Sequence, residues 1–130
     1  MTNAKSKILI VDDEKNIVLF LRELLLSTGR YEVETAFSGR DGFEKAHTFL
    51  PDLILLDVMM PDFGGDQFAD EAKSDPKLCN TPIIFLTGIV TKEEISPSHQ
   101  AAGGYAYLAK PVTHLEELTT CIEKQLHPQA

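Results

Sequence analysis

The sequence is short of basic side chains, of cysteine and of long apolar runs, and each shortage narrows what the chain can be. Lysine and arginine total 12 against 20 aspartates and glutamates, a formal net charge of −8. A surface that acidic repels a phosphate backbone, which argues against direct DNA or RNA binding and against an anionic membrane surface. There are two cysteines, Cys79 and Cys121, far apart and with no cysteine or histidine at metal-ligand spacing. They read as two reduced, partly buried thiols rather than a disulfide framework or a zinc site. No stretch approaches the ~20 apolar residues of a membrane span, and residues 1–7 lead into no signal-type apolar region. The expected location is cytoplasmic. No linker, repeat or low-complexity segment interrupts the chain. Its 130 residues, 43% apolar and 25% charged, suit one soluble domain, 1–130, with a core over about 6–126.

What is present is an alternation of short apolar runs and helical patterns. Ile8-Leu9-Ile10-Val11 ends in Asp12-Asp13, Leu53-Ile54-Leu55-Leu56 ends in Asp57, and Ile83-Ile84-Phe85-Leu86 ends in Thr87. Unbroken runs of this length suit strands covered on both faces, as parallel strands under helices are. Residues 31–36 alternate, which predicts a strand with one less covered face, and 105–108 predict a weaker fifth strand. Helices are predicted at 14–28, 41–49, 67–73, 92–102 and 114–126. In the first, Ile17, Phe20, Leu21, Leu24 and Leu25 form the expected core stripe, with Gly29 as its stop. In the fourth, Pro97 is tolerable only near the first turn. Five βα units in this length predict an α/β doubly wound parallel sheet with helices on both faces.

In such a sheet, sites gather beyond the carboxyl ends of the strands. The topology therefore brings Asp12, Asp13, Asp57, Thr87 and Lys110 to one edge, although they span most of the sequence. Three carboxylates in one pocket repel each other unless a cation lies between them. A hard cation such as Mg²⁺ binds through one or two carboxylates plus a phosphate. A carboxylate can also attack phosphorus to form an acyl phosphate, with Lys110 and the Thr87 hydroxyl to receive the phosphoryl oxygens. Singly, each residue has a plainer reading: Asp12-Asp13 as a helix cap, Asp57 and Thr87 as turn residues, Lys110 as a solvated charge. Together, in order and at strand ends, coincidence is the poorer account.

These segments resemble the response-regulator receiver domain of two-component signalling, over about residues 6–126. Ile8-Leu9-Ile10-Val11-Asp12-Asp13-Glu14 is similar to the family's acidic opening, and Asp57 through Gly65 to its phosphoacceptor loop, with proline four and glycine eight residues after the aspartate. Ile84-Phe85-Leu86-Thr87-Gly88 resembles the fourth strand, and Tyr107-Leu108-Ala109-Lys110-Pro111 the fifth. The resemblance implies a sheet order of 2-1-3-4-5. It implies that Asp57 is the phosphoacceptor and that Asp13, Asp57 and the Met59 backbone carbonyl bind Mg²⁺ (or Mn²⁺), with Asp12 holding a coordinating water. It implies that Lys110 pairs with the phosphoryl oxygens, that the Lys110–Pro111 peptide is cis, and that Thr87 and Tyr107 form a switch pair. That pair would reshape the face made by the fourth helix, fifth strand and fifth helix. The donor would be a phosphohistidine on a sensor histidine kinase or a histidine phosphotransfer protein, with an output protein left unidentified and a phosphorylation-dependent dimer open. None of the four histidines is needed for that role.

Two departures qualify the pattern. Ser96-Pro97-Ser98 and Gly103-Gly104 make the fourth helix irregular. Met59 and Ile89 place apolar groups beside the pocket, where they cannot orient an attacking water, which predicts a long-lived phosphoryl state; small Gly88 leaves room for a donor. On the first helix, a second stripe of Lys15, Val18, Leu19, Arg22 and Leu26 is an expected surface, with Lys15, Val18 and Leu19 candidates for docking a histidine-bearing helix bundle. An aspartyl phosphatase is disfavoured, since Met59 stands where such enzymes carry a second aspartate. The chain is therefore expected to be no enzyme beyond slow self-dephosphorylation. A flavin carrier is disfavoured because Asp12-Asp13-Glu14 would repel the cofactor phosphate, and a never-phosphorylated binding module because the acceptor set is intact. A receiver fragment of a larger regulator or hybrid histidine kinase remains an alternative.

Overall fold

A computed structural model describes residues 5–87, 106–110, 112 and 114–127. Its elements run β1 (Ser6–Val11), α1 (Lys15–Ser27), β2 (Tyr31–Ala36), α2 (Gly39–Phe49), β3 (Leu53–Asp57), α3 (Gly65–Lys73), β4 (Ile83–Thr87), β5 (Ala106–Ala109) and α4 (Leu115–Leu126). The strands pair in parallel in the order β2-β1-β3-β4-β5, as expected. The last helix, α4, is the fifth helix read from the sequence. The helix expected at 92–102 lies outside the described residues, as do Gly88, Ile89, Gly103-Gly104, Tyr105 and the Lys110–Pro111 peptide.

Alternate side chains of the apolar runs point to opposite faces of the sheet. Ile8, Ile10, Leu53, Leu55, Ile84 and Leu86 pack under α1 and α4, against Val18, Leu21, Leu25, Leu118 and Ile122. Leu9, Val11, Ile54, Leu56 and Phe85 pack under α2 and α3, against Ala46, Phe68, Ala69 and Ala72. Two cores share one sheet, and strands buried on both faces need apolar residues at every position. The less covered strand is β2, where Glu32 is exposed between buried Tyr31 and Ala36. It lies at the edge.

Helix ends follow local chemistry. The Ser38 hydroxyl accepts the Asp41 N–H at 3.1 Å, so α2 starts at Gly39, two residues before the apolar pattern does. It stops at Leu50, which takes a left-handed conformation (φ 51°) ahead of Pro51. α1 is followed by Gly29 at φ 73°, a conformation glycine adopts without steric cost.

Two expectations are corrected. On α1, the residue pressed into the sheet is Val18, 0% exposed, whereas Phe20, assigned to the core, is 48% exposed. Apolar side chains occupy most of this helix, so its periodicity supports two stripes, and the sheet selects Val18, Leu21 and Leu25. The cysteines also differ from each other: Cys79 is exposed and Cys121 buried. Burial, then Glu117, pushes the Cys121 thiol up to about 12, so it stays protonated and unreactive.

Candidate functional site

Asp12, Asp13, Asp57, Thr87 and Lys110 meet at the carboxyl edge of the sheet because β1, β3, β4 and β5 all end there. Asp12 leaves β1 fully buried. Its backbone N–H donates to the Ala36 carbonyl at 3.2 Å, and its Oδ1 accepts the Glu14 N–H at 2.9 Å. Asp13, one residue on, is exposed. Asp57 is the last residue of β3 and 4% exposed. The Met59 N–H points to its Oδ1 at 3.4 Å, while the Met59 side chain is 63% exposed at the rim. The glycine eight residues after Asp57 has a steric reason. A Cβ on Gly65 would lie 2.6 Å from the Asp57 carbonyl oxygen and 2.9 Å from Val58 Cα. Only glycine lets α3 start so close to the end of β3.

Lys110 closes the pocket. Its backbone N–H donates to the Thr87 carbonyl at 2.9 Å. Its ammonium lies 2.9 Å from Asp12 Oδ2, 3.0 Å from Glu14 Oε1 and 3.3 Å from Asp57 Oδ1. Burial works against this charge, but Asp12, Glu14 and Asp57 outweigh it and raise its pKa above the lysine value. The Asp57 carboxyl lies above the ordinary carboxylate value. Burial and the Asp12 charge push it up to about 6, against the pull of Lys110 and the Met59 N–H. One cation does not neutralise this many carboxylates.

The donor set fits a second, hard cation. Among the described residues, Asp12, Asp13 and Asp57 each offer a carboxylate oxygen, all within 4.8 Å of one another. Asp12 Oδ2 is buried and meets Lys110 as an ion pair by distance, without a directed hydrogen bond. All-oxygen donors of this kind suit Mg²⁺ or Mn²⁺ and not a soft metal.

Thr87 ends β4 with its side chain buried. In the β4–β5 register Phe85 lies beside Tyr107 and Thr87 beside Ala109, so Thr87, Phe85 and Tyr107 share one face of the sheet. Tyr107 is half-buried, its ring centroid 5.2 Å from that of Phe85. Of the docking candidates, Lys15 is exposed with its ammonium 5.5 Å from the centre of the Phe37 ring. Leu19 is exposed too. Val18, being core, cannot dock a partner.

Two residues escaped the sequence reading. Glu14 reaches Lys110; only the run of three acidic residues hinted at it. Asp62 accepts the Gly39 and Arg40 N–H groups at 3.2 and 3.1 Å, capping α2 from the loop after β3. Burial opposes its ionisation, but these N–H groups outweigh burial and hold its carboxyl below the usual range. No local pattern marks a cap delivered from so far along the chain.

Residues 8–123 match the family model of the response regulator receiver domain. The chain belongs to this family. It is 35% identical over 125 residues to the response regulator ArlR of Staphylococcus aureus, covering 95% of this chain and 54% of that protein. This chain therefore spans about half the length of that curated relative. An 83-residue match to a hybrid signal transduction histidine kinase of Dictyostelium discoideum, 41% identical, covers 64% of this chain and 5% of that protein. Among solved structures it is similar to the chemotaxis protein CheY4 of Vibrio cholerae, at 33% identity and a TM-score of 0.78, covering 93% of this chain and 98% of that one. It is also similar to the receiver domain of a sensor histidine kinase of Pseudomonas aeruginosa, which has a magnesium ion in its active-site cleft. That likeness is 26% identical with a TM-score of 0.78, over 95% of this chain and 98% of the other. Receivers are phosphoaccepting signalling domains rather than turnover enzymes. No helix among the described residues is long and apolar enough to cross a membrane.

Proposed function

We propose that this receiver stores a phosphoryl group on Asp57 and passes the change to the face around Tyr107. The observation that carries the proposal is the buried Asp57 carboxylate at the end of β3, 3.3 Å from Lys110 and clustered with Asp12 and Asp13. The donor is a phosphohistidine on a sensor histidine kinase or a histidine phosphotransfer protein. An Asp57 oxygen attacks phosphorus in line; the P–O bond forms as the P–N bond breaks. The electron pair leaves on the imidazole nitrogen, which takes up a proton. Asp13, Asp57 and the Met59 carbonyl would hold Mg²⁺, with Asp12 acting through a water. The ion supplies the charge that lets an anionic phosphoryl group approach these carboxylates.

The chain's own part is positioning and charge. Lys110 places an ammonium where the phosphoryl oxygens arrive. Thr87 offers a hydroxyl on the same edge and draws toward those oxygens, and Tyr107 follows into the vacated space. Exposed Met59 adds no group that could aim a water at phosphorus, so loss of the phosphoryl group is slow and turnover negligible. On α1, Lys15 and Leu19 flank the acidic edge and suit the donor's helix bundle. The receiver unit is residues 6–126, standing alone or within a longer regulator or hybrid kinase, and its output protein is to be sought at the β5–α4 face.

Incubation with a phosphorylated donor or with phosphoramidate and Mg²⁺ should label the wild type with acid-labile, hydroxylamine-sensitive phosphate. Asp57→Asn should carry none. Equal labelling of the variant would refute the assignment.

A further inference from the structure

The Lys110 ammonium has three N–H donors and three carboxylates around it, at 2.9 Å (Asp12), 3.0 Å (Glu14) and 3.3 Å (Asp57). Of the three, the Glu14 contact is a directed hydrogen bond, so a phosphoryl oxygen on Asp57 that engages this ammonium competes with it. Asp12 is buried and fixed, its other oxygen held by the Glu14 N–H. Asp57 itself carries the phosphoryl group. Glu14 is the remaining partner, and its side chain is 59% exposed, so water can take it up at little cost. Among the described residues its side chain makes no other polar contact. It makes no capping hydrogen bond at the start of α1; that turn is closed by the Glu14 backbone carbonyl, which accepts the Ile17 and Val18 N–H groups.

We infer that Glu14 is a positioning residue, a displaceable counterion that holds Lys110 in the unphosphorylated receiver and competes with the phosphoryl oxygens for it. Phosphorylation then exchanges one ion pair for another at Lys110, and the Glu14–Lys110 contact opposes the phosphorylated state. The inference rests on the phosphoacceptor reading of Asp57 and adds a residue to it.

The test is beryllofluoride binding at saturating Mg²⁺, followed by amide spectra, in the wild type, Glu14→Gln and Glu14→Asp. Glutamine keeps the shape and removes the charge. Aspartate keeps the charge but is one methylene shorter, and loses the 3.0 Å contact. An exposed ion pair is worth little, so both variants should bind about two- to fivefold more tightly than the wild type. Tightening in Glu14→Gln alone would mean a general charge effect and would overturn the inference. Unchanged or weaker binding in both would overturn it as well. A wild type that binds no beryllofluoride would sink the phosphoacceptor reading and this inference with it, which sets that failure apart from the other two.

Discussion

At the scale of single residues, Asp57 carries an electrostatic cost that fits the proposed phosphoacceptor role. Burial and Asp12 raise its pKa from 3.8 to about 6 without metal. The folded state thus binds a proton more tightly than the unfolded chain does. The stability this contributes is full below about pH 4 and is lost as pH rises through about 6. At neutral pH the metal-free protein holds a strained carboxylate. Asp57→Asn, neutral at every pH, should therefore be more stable than the wild type in chelator at pH 7.5, by on the order of 2 kcal/mol. Its advantage should shrink toward pH 4. Mg²⁺ should stabilise the wild type much more than the variant. Urea melts at the two pH values, with and without Mg²⁺, check this; a gain that does not depend on pH would refute it. Asp57, Asp12 and Lys110 were legible in the sequence because parallel strands deliver their ends to one edge whatever the loops do. Glu14 and Asp62 were not, because each acts through a side-chain reach or loop path that no periodicity encodes.

At the scale of elements, α1 shows where periodicity stops informing. Ile17, Phe20, Leu21, Leu24 and Leu25 make an acceptable stripe, and so do Val18, Leu21 and Leu25. Only the register of the helix on β1 and β2 decides, and it buries Val18. Val18→Ala should cost about 1–2 kcal/mol through lost burial and a residual cavity. Leu19→Glu should leave stability within about 0.5 kcal/mol, yet slow transfer from a histidine-bearing partner while sparing reaction with phosphoramidate. Denaturant melts and transfer kinetics separate the two. A second element-scale contact joins α2 to the turn after α3. His47 Nδ1 lies 2.9 Å from the Phe43 carbonyl, and Nε2 lies within hydrogen-bond distance of the Asp75 carboxylate. Both partners only accept, so both ring nitrogens must carry protons. Asp75 accordingly raises the His47 pKa above 6.5. The stability this adds is full below 6.5 and lost as pH rises through the higher folded value. His47→Gln should be less stable than the wild type at pH 6, with the difference closing in alkaline buffer. A difference that stays constant with pH would show that the ring acts by packing alone.

At the scale of the whole molecule, the proposed function asks how a charge placed on β3 would reach a ring on β5. β4 lies between them: Leu86 pairs with Asp57, and Phe85 pairs with Tyr107. Thr87 follows Leu86 at the site's edge and shares a face with Phe85 and Tyr107. The strand is buried throughout, so a shift at its end cannot be absorbed by solvent and must be met by neighbouring side chains. A phosphoryl group adds about −1.5 to −2 charge and three acceptor oxygens. A hydrogen bond from the Thr87 hydroxyl to such a group contributes roughly 1.5–3 kcal/mol. Complete inversion of a two-state equilibrium from 1:99 takes about 5.5 kcal/mol. One hydroxyl could therefore throw the proposed switch only if two Tyr107 positions started near balance, and a ring that is already half-buried suits that condition. Thr87→Val keeps the volume and removes the hydroxyl; Thr87→Ser keeps the hydroxyl. With Mg²⁺ and beryllofluoride, the Tyr107 ring resonances should move in the wild type and in Thr87→Ser. In Thr87→Val the amides around Asp57 should still respond while the Tyr107 ring stays in place. If the ring moves equally in all three proteins, the signal bypasses the Thr87 hydroxyl and travels through the β4 backbone instead.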